Sequence, residues 1–360
     1  MQRALQLAEL GRGRTSPNPL VGALVLDARG DLVGEGFHAR AGSPHAEVHA
    51  LRQAGARARG GTAIVTLEPC CHHGRTPPCS EALLAAGIQR VVIAMRDPDP
   101  RVSGGGIARL EASGIEVISG ICEAEAQALN RSFIHRVQAG RPLGILKWAM
   151  SLDGRTALPN GASQWISGPP ARAWVHSLRA QCDAVIVGGG TVRADNPLLT
   201  SRGQRHPEPL RVVLSRHLDL PSDAQIWDQS SATTLVLNSA SAPLAMQQHL
   251  DAHGIEHLSL DDCTPRGALE RLAQRGCNQV LWECGPGLAS AALQQGCVQQ
   301  VATVIAPKLL GGLSARTPLG DLGLEDVNQA EPWSANQLRT LGDDWLIQLN
   351  PDPLPPQGIH

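Results

Sequence analysis

The sequence predicts an α/β protein of two domains. Short apolar runs alternate with amphipathic stretches along the chain, 360 residues suffice for two domains of ordinary size, and Gly140-Arg141-Pro142 punctuates the chain between two alternating halves. Apolar residues make up 42% of the chain, enough for packed cores. The formal net charge is -2 and aromatics are 2%, with no Tyr and only Phe37 and Phe133 as Phe. A basic groove lined with stacking aromatics, the usual platform for single-stranded nucleic acid, is therefore not expected. No apolar run approaches the roughly 20 residues of a membrane span. The first ten residues read as an amphipathic helix rather than a secretory signal. The 9 cysteines are scattered apart from Cys70, Cys71 and Cys79, which suits reduced thiols in a cytoplasmic protein.

In order, Leu20 to Leu26 and Asp31 to Phe37 read as strands of a hairpin around the turn cluster Asp27-Ala28-Arg29-Gly30. Ala46 to Ala58 reads as a helix and Thr62 to Leu67 as a buried strand. Ser80 to Ala86 is the next helix, stopped by Gly87, and Val91 to Met95 the next strand. A helix over Ile107 to Ser113 and a strand over Ile115 to Ile118 complete a three-layer domain, 1–121. Glu123 to Gln138 reads as a connecting helix within a linker, 122–142. The second domain, 143–350, opens with a strand from Leu143 to Met150. A helix over Pro170 to Ala180 and strands at Ala184 to Val187, Leu210 to Leu214, Thr234 to Leu237 and Gln279 to Glu283 follow. A helix over Leu288 to Gln295 and a late strand over Val298 to Ile305 come last. The tail 351–360 is Pro-rich and reads as disordered.

Chemistry concentrates at His45-Ala46-Glu47, Pro69-Cys70 and Cys79. A histidine and two cysteines supply three soft-to-borderline donors, the ligand types zinc prefers. Three ligands with an open fourth position describe catalytic rather than structural zinc. Zinc lowers the pKa of a bound water from 15.7 to about 7, and Glu47 is placed to carry its proton. Residues two apart point about 200° apart around an ideal helix, so His45 and Glu47 converge only if His45 sits at the very start. Cys79 also begins a helix, where thiolates are favoured. A structural site completed by His72, His73 or Cys71 is the alternative.

The His-x-Glu and Pro-Cys elements resemble the cytidine-deaminase-like family. The usual short Cys-x-x-Cys spacing is replaced by the stretched loop Pro69-Cys70-Cys71-His72-His73-Gly74-Arg75-Thr76-Pro77-Pro78-Cys79. With Thr15-Ser16-Pro17-Asn18-Pro19-Leu20-Val21-Gly22 upstream, it looks like the deaminase half of the bifunctional riboflavin-biosynthesis deaminase/reductases. The resemblance implies a cytidine-deaminase-like fold and a diaminopyrimidinone substrate with a phosphoribosylamino group, hydrolysed at a ring amino group. It implies zinc on His45, Cys70 and Cys79, proton transfer by Glu47, and substrate contact by Asn18. By charge and position His72, Arg75 and Thr76 are placed to meet the ribose phosphate.

In the second half, glycines follow strands at Gly188-Gly189-Gly190 and at Glu283-Cys284-Gly285-Pro286-Gly287, where backbone N–H groups can approach phosphate. No Gly-x-Gly-x-x-Gly fingerprint is present, which disfavours an ordinary Rossmann site. As a set these segments look like the reductase half of the same family, whose fold resembles dihydrofolate reductase. That resemblance implies NADPH-dependent reduction of the ribosyl to the ribityl chain. NADPH would meet Ala149, Trp165, Thr191, Asp195 and the run Gly285, Pro286, Gly287, Leu288, Ala289, Ser290 and Ala291. The substrate would meet Ser163, Arg179, Leu199, Arg202 and Glu283. Arg179 and Arg202 suit a phosphate clamp, and Glu283 suits ring N–H groups. Lysine occurs only as Lys147 and Lys308. Lys147 lies on a buried-looking strand, where its charge requires a partner and favours a place in the site.

Two other functions fit less of the chain. One is a deaminase of another nucleoside or nucleic-acid base with a non-catalytic second domain. The other is a zinc-stabilised interaction protein, which has no use for Glu47. The resemblance also implies a homo-oligomer and a small-molecule substrate, while the few aromatics, the near-neutral charge and the lack of a long apolar run predict neither nucleic-acid nor membrane partners.

Overall fold

The computed structural model describes residues 1–71, 77–100 and 102–351, which form two compact units, Met1–Arg141 and Pro142–His360. His72, His73, Arg75 and Thr76, and the tail beyond Pro351, lie outside the described residues. No helix among the described residues is long and apolar enough to cross a membrane.

The first unit runs α1 (Gln2–Glu9), β1 (Gly22–Leu26), β2 (Leu32–Phe37), α2 (Ala46–Ala54), β3 (Thr62–Leu67), α3 (Cys79–Ala85), β4 (Arg90–Met95), α4 (Gly105–Glu111), β5 (Glu116–Ser119), α5 (Glu123–Leu129) and α6 (Arg131–Ala139). Its sheet has the order β2-β1-β3-β4-β5. β1 pairs antiparallel with β2 and β3, and β3, β4 and β5 are parallel. Ala46, Ala50 and Ala54 recur every four residues on α2 and join Leu83 of α3 and Leu110 of α4 in one core against Val25, Val65 and Ile93. On the other face Ala126 of α5 packs on Leu67 and Met95, and Ala4 and Leu7 of α1 pack on Leu24. This is the three-layer arrangement the alternation predicts.

α2 lies unusually close to β2. A Cβ on Gly34 would stand 2.1 Å from the Ala50 carbonyl oxygen, and one on Gly36 would stand 2.5 Å from His49 Cβ. Two strand glycines facing small helix residues thus seat the helix that carries the His/Glu pair. The predicted connecting helix is in fact two helices broken at Asn130. The buried Asn130 carboxamide accepts from Leu20 N at 2.8 Å and donates to Leu20 O at 3.0 Å. It mimics a strand neighbour, which ties α5 and α6 into the first unit.

The second unit runs β6 (Leu143–Ser151), α7 (Pro169–Gln181), β7 (Ala184–Gly188), α8 (Gly189–Asp195), β8 (Leu210–Leu214), β9 (Thr234–Ser239), α9 (Leu244–Ala252), β10 (Glu256–Leu260), α10 (Pro265–Gln274), β11 (Gln279–Trp282), α11 (Pro286–Gln294), β12 (Gln300–Ala306), β13 (Trp333–Leu341) and β14 (Asp344–Pro351). The sheet order is β10-β9-β8-β7-β11-β6-β12-β14-β13. The first seven of these are parallel, and β14 is antiparallel to both β12 and β13. Six elements, α8, α9, β10, α10, β13 and β14, were not expected from the sequence. β13 explains why: all seven residues from Ser334 to Thr340 are exposed, so no buried face imposes an alternating pattern.

Each face of this sheet has its own core. Leu178, Val192 and Leu250 of α7, α8 and α9 cover Val185, Val213 and Val236. Leu269 and Ala292 of α10 and α11 cover Ile186, Val212 and Leu235. Right-handed crossovers require this segregation, because α7 to α9 step along the sheet one way and α10 and α11 the other. β11 is inserted between β7 and β6. The connection leaving β7 therefore runs toward β8, and the one leaving β11 crosses β6 to β12. Between β7 and β11 the sheet has a topological switch point, whose crevice at the strand carboxyl ends is where such sheets bind ligands.

Candidate zinc centre and reductase crevice

His45 is the N-cap of α2, with extended backbone at φ -73 and ψ 165. It stands outside the helical wheel, so its side chain is free of the 200° separation that would otherwise part it from Glu47. Cys70 follows β3, and Cys79 is the first residue of α3. These placements bring the three donor atoms within 4.8 Å of one another. His45 Nδ1 lies 3.1 Å from Cys79 Sγ and 3.7 Å from Cys70 Sγ. Zn–N and Zn–S bonds of ordinary length at tetrahedral angles separate ligand atoms by about 3.5–3.8 Å, so this donor set fits zinc.

The electrostatics match that chemistry. Cys79 Sγ hydrogen-bonds Cys70, which pushes the Cys79 thiol up and holds Cys70 down at about 4. The Cys79 backbone N–H also donates to Cys70 Sγ at 3.3 Å. The bond to Cys70 raises His45 against its burial. Glu47 is only 4% exposed, and burial raises its pKa. Its Oε2 is buried without a hydrogen-bond partner among the described residues. An orphaned carboxylate oxygen beside three metal-type donors is a cost that only a ligand or bound water offsets.

Asn18 reaches this cluster through His38, a residue the sequence reading passed over. Asn18 Nδ2 lies 3.0 Å from His38 Nε2, and the His38 ring meets the His45 ring edge-on at 5.4 Å.

Glu68 was also passed over, although it stands between β3 and the candidate ligand Cys70. It is buried, and its carboxylate accepts four backbone N–H groups: Asp97 at 3.2 Å, Gly104 at 3.0 Å, Gly106 at 3.0 Å and Ile107 at 3.2 Å. It caps α4 and ties the loop after β4 to the segment that carries Cys70. The two run so close that a Cβ on Gly106 would stand 1.9 Å from the Pro69 carbonyl oxygen. Glu68→Ala is expected to destabilise the first unit by about 3 kcal/mol, since each buried N–H left without a partner costs about 1–3 kcal/mol. It should also weaken zinc retention. Glu68→Gln keeps one acceptor and should fall between. Melting temperature and zinc retained against a competing chelator test this; wild-type values for Glu68→Ala on both would refute the anchoring role.

In the second unit, Lys147, Arg179 and Glu283 form a buried charge triad. Arg179 pairs with Glu283 through two contacts, Nε to Oε1 at 2.6 Å and Nη2 to Oε2 at 3.0 Å, and donates from Nη1 to Thr200 O at 3.0 Å. Lys147 Nζ lies 3.7 Å from Glu283 Oε2. The partner that Lys147 required is thus Glu283. The two arginines read as a phosphate clamp part company here: Arg179 is committed to Glu283, while Arg202 is exposed on a left-handed backbone at φ 58. Leu199 is buried and its side chain serves the core.

The fold also gathers Ser163, Trp165 and Asp195. Ser163 Oγ donates to Asp195 Oδ1 at 3.0 Å, and the Trp165 ring is 63% exposed beneath Arg172. Lys308 holds this segment by donating to Trp165 O at 2.7 Å. Ala149 is half-buried on β6. At the switch point, Gly285 is the N-cap of α11, and a Cβ there would stand 3.9 Å from Thr191 Oγ1 of α8. Nothing lies within 4 Å of a Cβ on Gly287. That open, backbone-lined helix start fits a dinucleotide phosphate. Gly285, Pro286, Gly287 and Leu288 face the crevice end of α11. Ala289 and Ser290 are buried and Ala291 is half-buried further along.

A three-ligand metal centre on a three-layer domain, followed by a parallel sheet with a nucleotide-type crevice, defines a deaminase joined to a reductase. Residues 1–95 match the cytidine and deoxycytidylate deaminase zinc-binding region, and residues 142–347 match the RibD C-terminal domain. The chain is 50% identical to the riboflavin biosynthesis protein RibD of Synechocystis over 347 residues, 96% of this chain and 94% of that one. Among solved structures, RibD of Acinetobacter baumannii superposes with TM-score 0.89 at 41% identity, covering 98% of each chain. A diaminohydroxyphosphoribosylaminopyrimidine deaminase/5-amino-6-(5-phosphoribosylamino)uracil reductase of Thermotoga maritima superposes at 0.86, with 37% identity over 98% of this chain and 97% of that one. The chain belongs to the RibD family, the bifunctional deaminase/reductases of riboflavin biosynthesis.

Proposed function

We propose that the first unit hydrolyses the ring amino group of 2,5-diamino-6-(5-phosphoribosylamino)pyrimidin-4(3H)-one to give 5-amino-6-(5-phosphoribosylamino)uracil. The second unit then reduces the ribosyl to the ribityl chain with NADPH. The observation that carries the first step is the convergence of His45, Cys70 and Cys79 on one point beside the buried, partnerless Oε2 of Glu47. His45 Nδ1 and the two Sγ atoms would hold zinc, which when bound supplies hydroxide at neutral pH. Glu47 Oε2 takes one proton from the attacking water and gives it to the ring nitrogen as the C–O bond forms. It then takes the remaining hydroxyl proton and gives it to the amine as the C–N bond breaks, so that the carbonyl forms and ammonia leaves. Its burial raises the affinity for that proton. Asn18 holds the ring.

In the second unit the start of α11, from Gly285 to Leu288, and Thr191 receive the cofactor phosphates, with Trp165 and Asp195 alongside. Arg202 is the exposed cation for the substrate phosphate. Glu283, fixed by Arg179 and Lys147, offers its remaining acceptor capacity to the ring. Hydride transfer needs close approach above all, so positioning carries most of this step. The bare edge of β13 supports a homo-oligomer, since unpaired edges are usually covered; sedimentation at monomer mass would set that part aside. Nine free thiols support a cytoplasmic setting.

The deciding experiment is product mass after incubating zinc-loaded protein with the diaminopyrimidinone, with and without NADPH. Deamination in both tubes, and two further hydrogens only with NADPH, is the expected result. Deamination without reduction would remove the second activity. An unchanged substrate with zinc bound would favour another heterocycle. Chelation should stop deamination while circular dichroism keeps the folded signal.

A further inference from the structure

His38 follows β2 and is only 2% exposed. Its Nδ1 lies 3.2 Å from the carbonyl oxygen of Pro44, the residue just before the ligand His45. A carbonyl oxygen can only accept, so Nδ1 carries the hydrogen. With the hydrogen on Nδ1, Nε2 of the imidazole offers a lone pair. The atom facing that lone pair is Asn18 Nδ2, at 3.0 Å. Each bond in this short chain runs in one direction only. The amide N–H end of Asn18 is committed to His38.

We propose that His38 is a positioning residue for deamination: by accepting from Asn18 Nδ2 it fixes which end of the amide is presented, so that Oδ1 meets an N–H of the aminopyrimidine. The preference for a ring edge that donates would then reside in a residue that need not touch the substrate. Because Pro44 and His45 are adjacent, the same imidazole keeps the amide in register with the metal-ligand segment. The inference rests on the deaminase reading above.

The test uses the full chain, zinc-loaded, with metal content measured for every variant. Glutamine can reproduce both contacts of the neutral ring, Oε1 accepting from Asn18 and Nε2 donating to Pro44 O. His38→Gln is expected to hold KM for the diaminopyrimidinone within about threefold of wild type. His38→Leu removes both contacts and should raise KM tenfold or more, with a smaller change in kcat; tenfold corresponds to about 1.4 kcal/mol. In an Asn18→Ala background the effect of His38→Leu should vanish, because the residue it acts through is gone.

Full additivity of the two substitutions would overturn the proposal, as would a His38→Gln protein as impaired as His38→Leu. An effect that tracks lost zinc would overturn it too, by reducing His38 to a prop for His45. A wild-type protein that binds zinc yet leaves the pyrimidine untouched would overturn the deaminase reading and this inference with it.

Discussion

Glu47→Gln is expected to lower deamination by a factor of about 10²–10⁴ while zinc content, folding and NADPH-dependent reduction stay as in the wild type. The substitution keeps volume and polarity at a buried position, so no cavity forms. What it removes is a group able to take up and return a proton at Oε2, the atom that has no partner among the described residues. Zinc analysis and rates for each half, assayed on its own substrate, separate the outcomes. Loss of zinc together with activity would make Glu47 a part of the metal-binding scaffold. Retained deamination would place the proton carrier elsewhere.

Glu283→Ala is expected to destabilise the second unit by about 3–5 kcal/mol and to abolish reduction, because it leaves Lys147 and Arg179 as buried cations without a counter-charge. Lys147 and Glu283 are only 14% and 11% exposed, so solvent screens them little. Burial opposes ionisation of Glu283, yet Arg179 and then Lys147 overcome it and hold the carboxyl at about 2 against an ordinary 4.5. Burial pushes Lys147 down while Glu283 pulls it up, so the carboxylate is what keeps that lysine charged. A carboxyl depressed in the folded state stabilises fully above its unfolded value and loses that contribution as pH falls through the folded one. The wild type should therefore lose about 3 kcal/mol between pH 4.5 and about 2 from this group. Glu283→Ala should show a flatter acid limb in denaturant titrations at stepped pH. Lys147→Met in the Glu283→Ala background should recover part of the stability and none of the reduction. An acid limb unchanged in Glu283→Ala would show that the triad does not govern acid stability.

Much of the zinc centre was legible in the sequence because its donors are rare residue types at tell-tale spacing, placed where strands end and helices begin. His45, Glu47, Cys70 and Cys79 needed no knowledge of strand order. Glu68 carried a sequence signal, its place against Pro69-Cys70, but its four acceptor bonds reach residues 97–107, about 30 to 40 positions away. His38 carried no signal at all: a lone histidine after a strand is ordinarily a filler of space, and only its contacts with Asn18 and Pro44 give it a task. In the second unit α9 and β13 escaped because the sequence signal reports burial, and α9 buries only Leu250 while β13 is an exposed edge; α10, which buries Ala268, Leu269 and Leu272 at helical spacing, carried the signal and was passed over.

The residues alone determined the donor types of the candidate metal centre and the alternation that makes both units α/β. Local spacing fixes these, since ligand type, helix starts and turns are decided within a few neighbours. The insertion of β11 between β7 and β6 was decided only in three dimensions, and with it the crevice that adjoins Thr191 to Gly285. The commitment of Arg179 to Glu283, 104 positions along the chain, was decided there as well. A strand's periodicity states which face is apolar but not which strand lies beside it, and a charge states its need for a partner but not which one the fold supplies.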